Sequence, residues 1–182
     1  TTSKLIYHIL KNSGFNVGLA GNIGYSFSES IVENQFDYYV LEVSSFQLDH
    51  IINFRPDISI ITNITPDHLD RYDNKLENYV DAKFKIISNQ KSSDYFIYSG
   101  DCSITTNKIN NINSIASAIS LHTSNYKNQQ NNYLIHNKNK IKSSINNNEN
   151  MIDITKSSLL GLHNVKNSMA CLLYTSDAAD ES

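Results

Sequence analysis

Two polar stretches of the sequence carry side chains that could bind a metal ion or assist a reaction. Glu42 lies near the end of the apolar run 37–43 and Ser44 follows it, while His68 comes shortly after the run 57–62. Together these two stretches offer a carboxylate, a hydroxyl and an imidazole. If both runs are strands of one parallel sheet, these side chains lie at its carboxyl edge, where open α/β sheets bind ligands.

Each of these residues also has an ordinary structural interpretation. A glutamate at a strand end, such as Glu42, is usually solvated or salt-bridged. Asp67 follows a proline and could cap the next helix, and Lys83 in a helical segment could be a surface lysine. The glycines within residues 18–24 could bind a phosphate, but their spacing departs from the dinucleotide fingerprint. The residues alone leave both interpretations open.

Hydrophobic periodicity indicates alternating strands and helices around these residues. We predict helices over residues 3–13, 26–33 and 76–87, and another that begins near residue 163. We predict strands over residues 16–20, 37–43, 57–62 and 95–98, and a weakly signalled element over residues 114–119. The alternation predicts an α/β fold with a doubly wound, mostly parallel sheet.

The second half of the chain has a different pattern. Two short apolar runs within residues 133–145 flank the turn-like residues 137–139, which predicts a small antiparallel hairpin at the sheet edge. The Asn-rich segments 128–132 and 146–150 are predicted to be surface loops.

Composition excludes several classes of protein. The chain has 182 residues, of which 40% are hydrophobic and 18% charged, as expected for one globular domain. Its net charge of −3 argues against non-specific nucleic-acid binding. No apolar run approaches the roughly 20 residues that span a bilayer. The two cysteines, Cys102 and Cys171, suggest neither a disulfide framework nor a metal motif, so we expect a cytoplasmic protein.

Both ends of the chain suggest a fragment. Thr1 and Thr2 run directly into a predicted helix, as would remain of a phosphate-binding loop cut just after its lysine. The final segment 171–182 switches abruptly to Asp- and Ala-rich sequence and resembles a translated sequencing adapter. We therefore expect residues 1–170 to form a domain truncated just after its phosphate-binding loop, and residues 171–182 to be a non-native tail.

Five ordered blocks give the chain a specific resemblance. The blocks cover residues 21–24, 41–48, 63–72, 82–83 and 161–167. In order and spacing they resemble the Mur ligase family, over roughly residues 1 to 170. The block 44–48 (Ser-Ser-Phe-Gln-Leu) most resembles the D-glutamate-adding branch of that family. The resemblance implies the family's central ATP-binding domain, with the P-loop-type mononucleotide-binding fold.

The resemblance also implies roles for individual residues. Thr1 and Glu42 would hold a Mg²⁺ ion that bridges the ATP phosphates, and His68 would bind a second Mg²⁺ ion. Lys83 matches the family lysine that is carbamylated to an anion beside that second metal. Of these, Glu42, His68 and Lys83 would be the catalytic residues.

The remaining implied positions would bind substrates. Asn164 and Asn167 would contact the adenine of ATP, whose phosphates lie near Thr1. The muramoyl-peptide site would be lined by Asn22, Ser44, Gln47 and Tyr72.

The implied activity is ATP-dependent amide-bond formation through an acyl phosphate, during peptidoglycan precursor synthesis. D-glutamate would be added to UDP-N-acetylmuramoyl-L-alanine by a cytoplasmic bacterial enzyme, which we expect to be monomeric and to bind neither membrane nor nucleic acid. A related ligase resembling folylpolyglutamate synthetase is one alternative. For the chain as it stands, a non-catalytic nucleotide-binding module is another.

Overall fold

The computed structural model describes residues 2–112, 116–123, 132–157 and 161–180. Six α-helices lie in these ranges: α1 (Thr2–Asn12), α2 (Phe27–Glu33), α3 (Ser45–Asp49), α4 (Leu76–Phe84), α5 (Ser103–Asn110) and α6 (Leu162–Asp180). The same ranges contain eight strands: β1 (Val17–Gly21), β2 (Tyr38–Glu42), β3 (Ile58–Ile61), β4 (Tyr95–Ser99), β5 (Ser117–His122), β6 (Tyr133–Asn137), β7 (Lys140–Ile145) and β8 (Asn148–Asp153). Two short 3-10 helices cover Leu69–Tyr72 and Lys85–Ile87.

The strands form two hydrogen-bonded sheets. β1 pairs with β2 in parallel, and the second sheet has the order β3-β4-β5-β6-β7-β8. Pairing is parallel from β3 to β6 and antiparallel from β6 to β8. The predicted α/β fold with a mostly parallel sheet is therefore confirmed.

Alternating residues of β4 show why the sheet is covered on both faces. Phe96 packs in a core cluster with Phe84 of α4, whereas Ile97 packs in another with Met169 of α6. Successive side chains of a strand point to opposite faces, so the two helices must lie on opposite sides of the sheet. The doubly wound arrangement follows from this alternation.

The antiparallel extension is larger than the hairpin predicted from the sequence. β8 pairs along β7 and adds a third antiparallel strand. Residues 146–150 were predicted to be a loop, which is wrong for Asn148 onward. Asn146 and Asn147 have φ values of 49° and 66° and form the two-residue turn that asparagine tolerates well. Of the predicted loop 128–132, only residue 132 lies within the described residues.

Helix α1 packs against the far end of the chain. Its apolar face buries Ile6 and Leu10, and both lie in a core cluster with Cys171 of α6. α6 continues through the segment 171–180, so Cys171 contributes to the core. Whether residues 171–182 are native stays a prediction. Among the residues that the structure describes, none of the helices could span a lipid bilayer.

Candidate functional site

A cavity of about 570 Å³ lies between β2 and β3. It is lined along both strands, over residues 37–43 and 54–63, and by Thr2 and Ser3 at the start of α1. Within the described residues, β2 and β3 are not hydrogen-bonded to each other. The cavity therefore exposes strand edges on both sides and has the first turn of a helix beside it.

Glu42, the last residue of β2, lines this cavity. Its carboxylate oxygen Oε2 accepts a hydrogen bond from the Ser3 hydroxyl at 2.7 Å. The contact joins the end of a strand to the first turn of α1, where the helix dipole favours negative charge. Ser3 was not predicted as a site residue. Its only sequence signal is its place directly after Thr1 and Thr2.

Asn22 is positioned beside Glu42 by the pairing of β1 with β2. Gly21 is the register partner of Glu42, and the Asn22 backbone N–H donates to the Glu42 carbonyl oxygen at 2.6 Å. Gly21 has φ of 105°, and a Cβ there would overlap the Glu42 carbonyl oxygen. A glycine is therefore required for this close approach.

Ser44 and Gln47 bind each other at the start of α3. The Gln47 backbone N–H donates to Ser44 Oγ at 3.3 Å, and the Ser44 backbone N–H donates to Gln47 Oε1 at 2.9 Å. This capping box is the role that serine followed three residues later by glutamine predicts for a helix start. The structure thus gives both residues a helix-capping role, and their predicted substrate contacts stay predictions.

His68 lies on the surface next to α3. Its side chain is 60% exposed, and its Nε2 lies 3.6 Å from Asp67 Oδ2. Its backbone has φ of 49°, so the chain turns sharply before the 3-10 helix. His68 does not line the cavity between β2 and β3. Its ring centroid lies 5.6 Å from that of Phe46.

Phe46 and Tyr72 form a stacked pair beside His68. Their ring centroids are 5.8 Å apart with an angle of 9° between the planes. Phe46 is 38% exposed, and the Arg71 guanidinium lies 5.7 Å from its ring centroid. Tyr72 is only 6% exposed, and burial raises the pKa of its phenol. The buried Tyr72 ring therefore packs against the partly exposed Phe46 ring. No sequence pattern predicted an accessible aromatic ring at Phe46.

Lys83 lines the same cavity as Glu42. It lies in the last turn of α4, with its ammonium nitrogen 4.9 Å from the centroid of the Tyr79 ring. Glu42 and Lys83 thus line one cavity, while His68 lies on the neighbouring surface, and the catalytic roles of all three residues stay predictions.

The donor set suits a Mg²⁺ ion only if a substrate supplies further ligands. Within the described residues there is no group of three or more His, Cys, Asp or Glu side chains that could hold a metal ion. Glu42 offers hard carboxylate oxygens at the cavity, and Mg²⁺ commonly combines one or two carboxylates with phosphate oxygens and water. Glu42 therefore fits a metal shared with a nucleotide. Thr1, the other predicted ligand of that ion, lies outside the described residues.

Asn164 and Asn167 lie in the first turns of α6. Asn167 Oδ1 accepts a hydrogen bond from Thr2 Oγ1 at 2.7 Å. The first turn of α1 therefore contacts Glu42 through Ser3 and Asn167 through Thr2. That turn links Glu42, which was predicted to bind the metal, to Asn167, which was predicted to bind the adenine.

Comparison with known proteins agrees with this arrangement of strands and helices. A family model described as the Mur ligase middle domain matches residues 1–175. The chain is 46% identical over 172 residues to UDP-N-acetylmuramoylalanine--D-glutamate ligase of Christiangramia forsetii. This match covers 93% of this chain and 38% of that protein. It is 59% identical over 101 residues to the protein of the same name in Bacteroides fragilis, and this match covers 56% of this chain and 23% of that protein.

The chain is also similar in fold to solved structures. One is the MurF ligase from Thermotoga maritima in complex with ADP, with a TM-score of 0.68 and 16% sequence identity. That match covers 98% of this chain and 42% of the other. The chain spans less than two fifths of the length of the two curated relatives above.

Proposed function

Because the chain belongs to the Mur ligase family, we propose that residues 1–170 form the central ATP-binding domain of a peptidoglycan precursor ligase. The proposed reaction adds D-glutamate to UDP-N-acetylmuramoyl-L-alanine. The names of the two curated relatives support D-glutamate as the added amino acid. The remainder of the enzyme, with the other parts of the substrate sites, would lie outside this chain.

One observation carries the nucleotide-binding part of the proposal. The first turn of α1 presents Ser3 to Glu42 and Thr2 to Asn167, each at 2.7 Å. Helix N-termini with free backbone N–H groups are suited to bind phosphates. A nucleotide with its phosphates at this turn would have Glu42 near the phosphate end and Asn167 toward the base.

The cavity between β2 and β3 supports a further part of the proposal. Both strand edges that face it carry backbone N–H and C=O groups, which need partners when buried. We propose that an additional strand, leading into a phosphate-binding loop before Thr1, fills this cavity in the full-length protein. The same segment would supply the lysine that binds the ATP phosphates.

The proposed mechanism begins with phosphoryl transfer. An oxygen of the substrate's terminal carboxylate attacks the γ-phosphorus of ATP, and ADP leaves, which gives an acyl phosphate. The D-glutamate amine then attacks the acyl carbon, phosphate leaves with the electrons of the broken C–O bond, and the amine loses a proton. Catalysis of such transfers depends mainly on positioning and charge neutralisation.

The chain's own residues would prepare these steps. Glu42, with Thr1, would hold Mg²⁺, which when bound reduces the repulsion between the carboxylate and the γ-phosphate. Lys83, which lines the same cavity, would be carbamylated and would hold a second Mg²⁺ together with His68. Asn164 and Asn167 would bind the adenine. The substrate's muramoyl-peptide end would lie near Asn22, Ser44, Gln47 and Tyr72.

Measuring phosphate release tests the proposed function. The full-length protein should release phosphate when ATP, Mg²⁺, UDP-N-acetylmuramoyl-L-alanine and D-glutamate are all present, and release should stop when any one is omitted. Release that requires a different amino acid, or a folate substrate as in folylpolyglutamate synthetases, would assign the protein to another ligase of the superfamily. Nucleotide binding without phosphate release would identify a non-catalytic module.

Location and oligomeric state belong to the same proposal. ATP and the nucleotide-linked precursor are consumed together, so we propose that the enzyme works in the bacterial cytoplasm. We also propose that it is a monomer without membrane or nucleic-acid partners. Light scattering of the full-length protein should give the mass of one chain, and a mass of two chains would contradict this.

A further inference from the structure

A charged cluster at Lys166 joins α6 to the sheet, in the turn of the helix that carries Asn164 and Asn167. Lys166 Nζ lies 3.1 Å from Asp101 Oδ2 and donates a hydrogen bond to Ser99 Oγ at 3.2 Å. Ser99 ends β4 and is 1% exposed, and Asp101 follows two residues later. The cluster therefore connects the start of the helix to the carboxyl edge of the sheet.

Asp101 is itself held in place by Thr123, the residue directly after β5. The backbone N–H and the hydroxyl of Thr123 donate to Asp101 Oδ2 at 3.0 Å and 2.7 Å. The other oxygen, Oδ1, lies 3.5 Å from Nδ1 of His122, a side chain that is 8% exposed. Burial alone would raise the pKa of Asp101, but hydrogen bonds from Thr123 and Lys166 outweigh it and lower that pKa. The carboxylate thus has a fixed position and keeps its charge near neutral pH.

Lys166 occupies the same helical turn as the two asparagines. With 3.6 residues per turn, Asn164, Lys166 and Asn167 lie within about one turn of α6. Any shift or rotation of this turn moves both amide groups together. Asn167 is also joined to Thr2, so its position relative to α1 depends on the same turn.

We propose that Asp101 is a positioning residue for nucleotide binding, which acts through Lys166 to fix the turn of α6 that carries Asn164 and Asn167. The inference rests on the proposed function, because it assigns these two asparagines to the adenine. The partners of Asp101 in the structure are protein groups, namely Lys166, Thr123 and His122, so we assign it no direct contact with the nucleotide. Its effect should therefore appear in the affinity for ATP rather than in the rate of the chemical steps.

Steady-state kinetics of the full-length protein test this role. Asp101→Asn and Lys166→Met should each raise KM for ATP about tenfold, which corresponds to about 1.4 kcal/mol. At saturating ATP, kcat should change less than about twofold, and so should KM for the muramoyl substrate. Both changes are smaller than the expected rise in KM for ATP. Lys166→Arg should restore most of the affinity, because it keeps the positive charge facing Asp101. Thermal unfolding of each variant shows whether the domain stays folded.

A double variant and a matched control separate positioning from general destabilisation. Asp101→Asn combined with Lys166→Met should raise KM no further than the larger single change, because coupled residues are not additive. Lys142→Met removes another ion pair, the one to Glu149 at 2.7 Å, and should leave KM for ATP unchanged.

Four results would overturn the positioning role: unchanged KM in both single variants, additive effects in the double variant, an equal rise in the Lys142→Met control, or no recovery with Lys166→Arg. Each leaves the proposed function standing if the wild-type protein binds ATP. A wild-type protein that binds no ATP would instead contradict the proposed function itself.

Discussion

Thr2 Oγ1 donates a hydrogen bond to Asn167 Oδ1 at 2.7 Å, across 165 positions of sequence. The contact is made where α1 packs against α6, beside the cluster of Ile6, Leu10 and Cys171. Hydrophobic packing brings the two helices together, and the hydrogen bond then fixes how their first turns meet. The proposed nucleotide site is therefore assembled from the two ends of the described chain.

Removing that hydrogen bond gives a first prediction. Thr2→Val keeps the shape of the side chain but leaves Asn167 Oδ1 without this donor. We expect a loss of about 1 kcal/mol in the free energy of unfolding, measured by urea denaturation. Thr2→Ser retains a hydroxyl and should lose less than half of that. An equal loss for both variants would show that the methyl group, rather than the hydrogen bond, stabilises the contact.

The carboxylate of Glu42 gives a second prediction. Glu42→Gln keeps an oxygen that can accept from Ser3 but removes the negative charge proposed to hold Mg²⁺. In the full-length protein we expect kcat/KM to fall at least about 10²-fold, with a higher Mg²⁺ concentration needed for half-maximal rate. Glu33→Gln, at the exposed end of α2, is the matched control and should change neither value. Normal magnesium dependence in Glu42→Gln would rule out the proposed ligand.

Lys83 gives a third prediction, on its proposed carbamylation. Lys83→Ala should lower the turnover of the full-length protein at least about 10²-fold, because the proposed anion beside Mg²⁺ is lost. Short carboxylic acids such as acetate should restore part of the rate. The control Lys75→Ala removes an exposed lysine just before α4 and should be active without rescue. Near-normal turnover of Lys83→Ala in CO₂-depleted buffer would exclude the carbamate.

Gly21 gives a fourth prediction, which has a control built into the chain. Gly14 and Gly21 both have positive φ, at 91° and 105°, so alanine is strained at either position. A Cβ at Gly14 has no neighbour within 4 Å, whereas one at Gly21 overlaps the Glu42 carbonyl oxygen. We expect Gly14→Ala to cost about 1 kcal/mol of unfolding free energy and Gly21→Ala roughly 1–3 kcal/mol more. Equal urea midpoints would show that the loop after β1 relaxes.

Asp94 gives a fifth prediction, about stability and pH. The Arg55 guanidinium donates to both carboxylate oxygens, at 2.7 Å and 2.6 Å, and the Lys91 backbone N–H donates at 2.6 Å. Chiefly because of Arg55, the pKa of Asp94 is held at about 2. Asp94→Asn should lower the free energy of unfolding by about 2 kcal/mol at pH 7. Asp70→Asn, at an exposed site, should be nearly neutral.

The sign of the pH dependence follows from the lowered pKa of Asp94. As the pH falls, Asp94 binds a proton at about pH 4 in the unfolded chain but only near pH 2 in the folded protein. Protons therefore favour unfolding over this range. The stabilisation is complete above about pH 4 and is lost as the pH falls toward 2. The free energy of unfolding of wild type and of Asp94→Asn can be measured by urea denaturation at several pH values. The difference between the two should shrink as the pH falls over that range. A constant difference would contradict the assigned pKa.

Short-range patterns in the sequence were sufficient for much of the fold. Apolar spacing predicted α1 and the strands β2 and β3, because each element buries one face or both faces in a regular period. The order of strands and helices predicted a parallel sheet with helices on both sides. Ordered motif blocks placed Glu42 and Asn167 in the proposed site, although no local pattern could join them.

Tertiary structure decided which of these residues meet. The cavity that brings Glu42 and Lys83 together, the burial of Tyr72, and the contact of Thr2 with Asn167 depend on packing between distant segments. β8 was missed because its Asn-rich sequence is polar, and its strand conformation is stabilised by pairing with β7 rather than by intrinsic preference. A sequence pattern reports what one segment prefers, whereas contacts between segments depend on the free energy of burying all of them together.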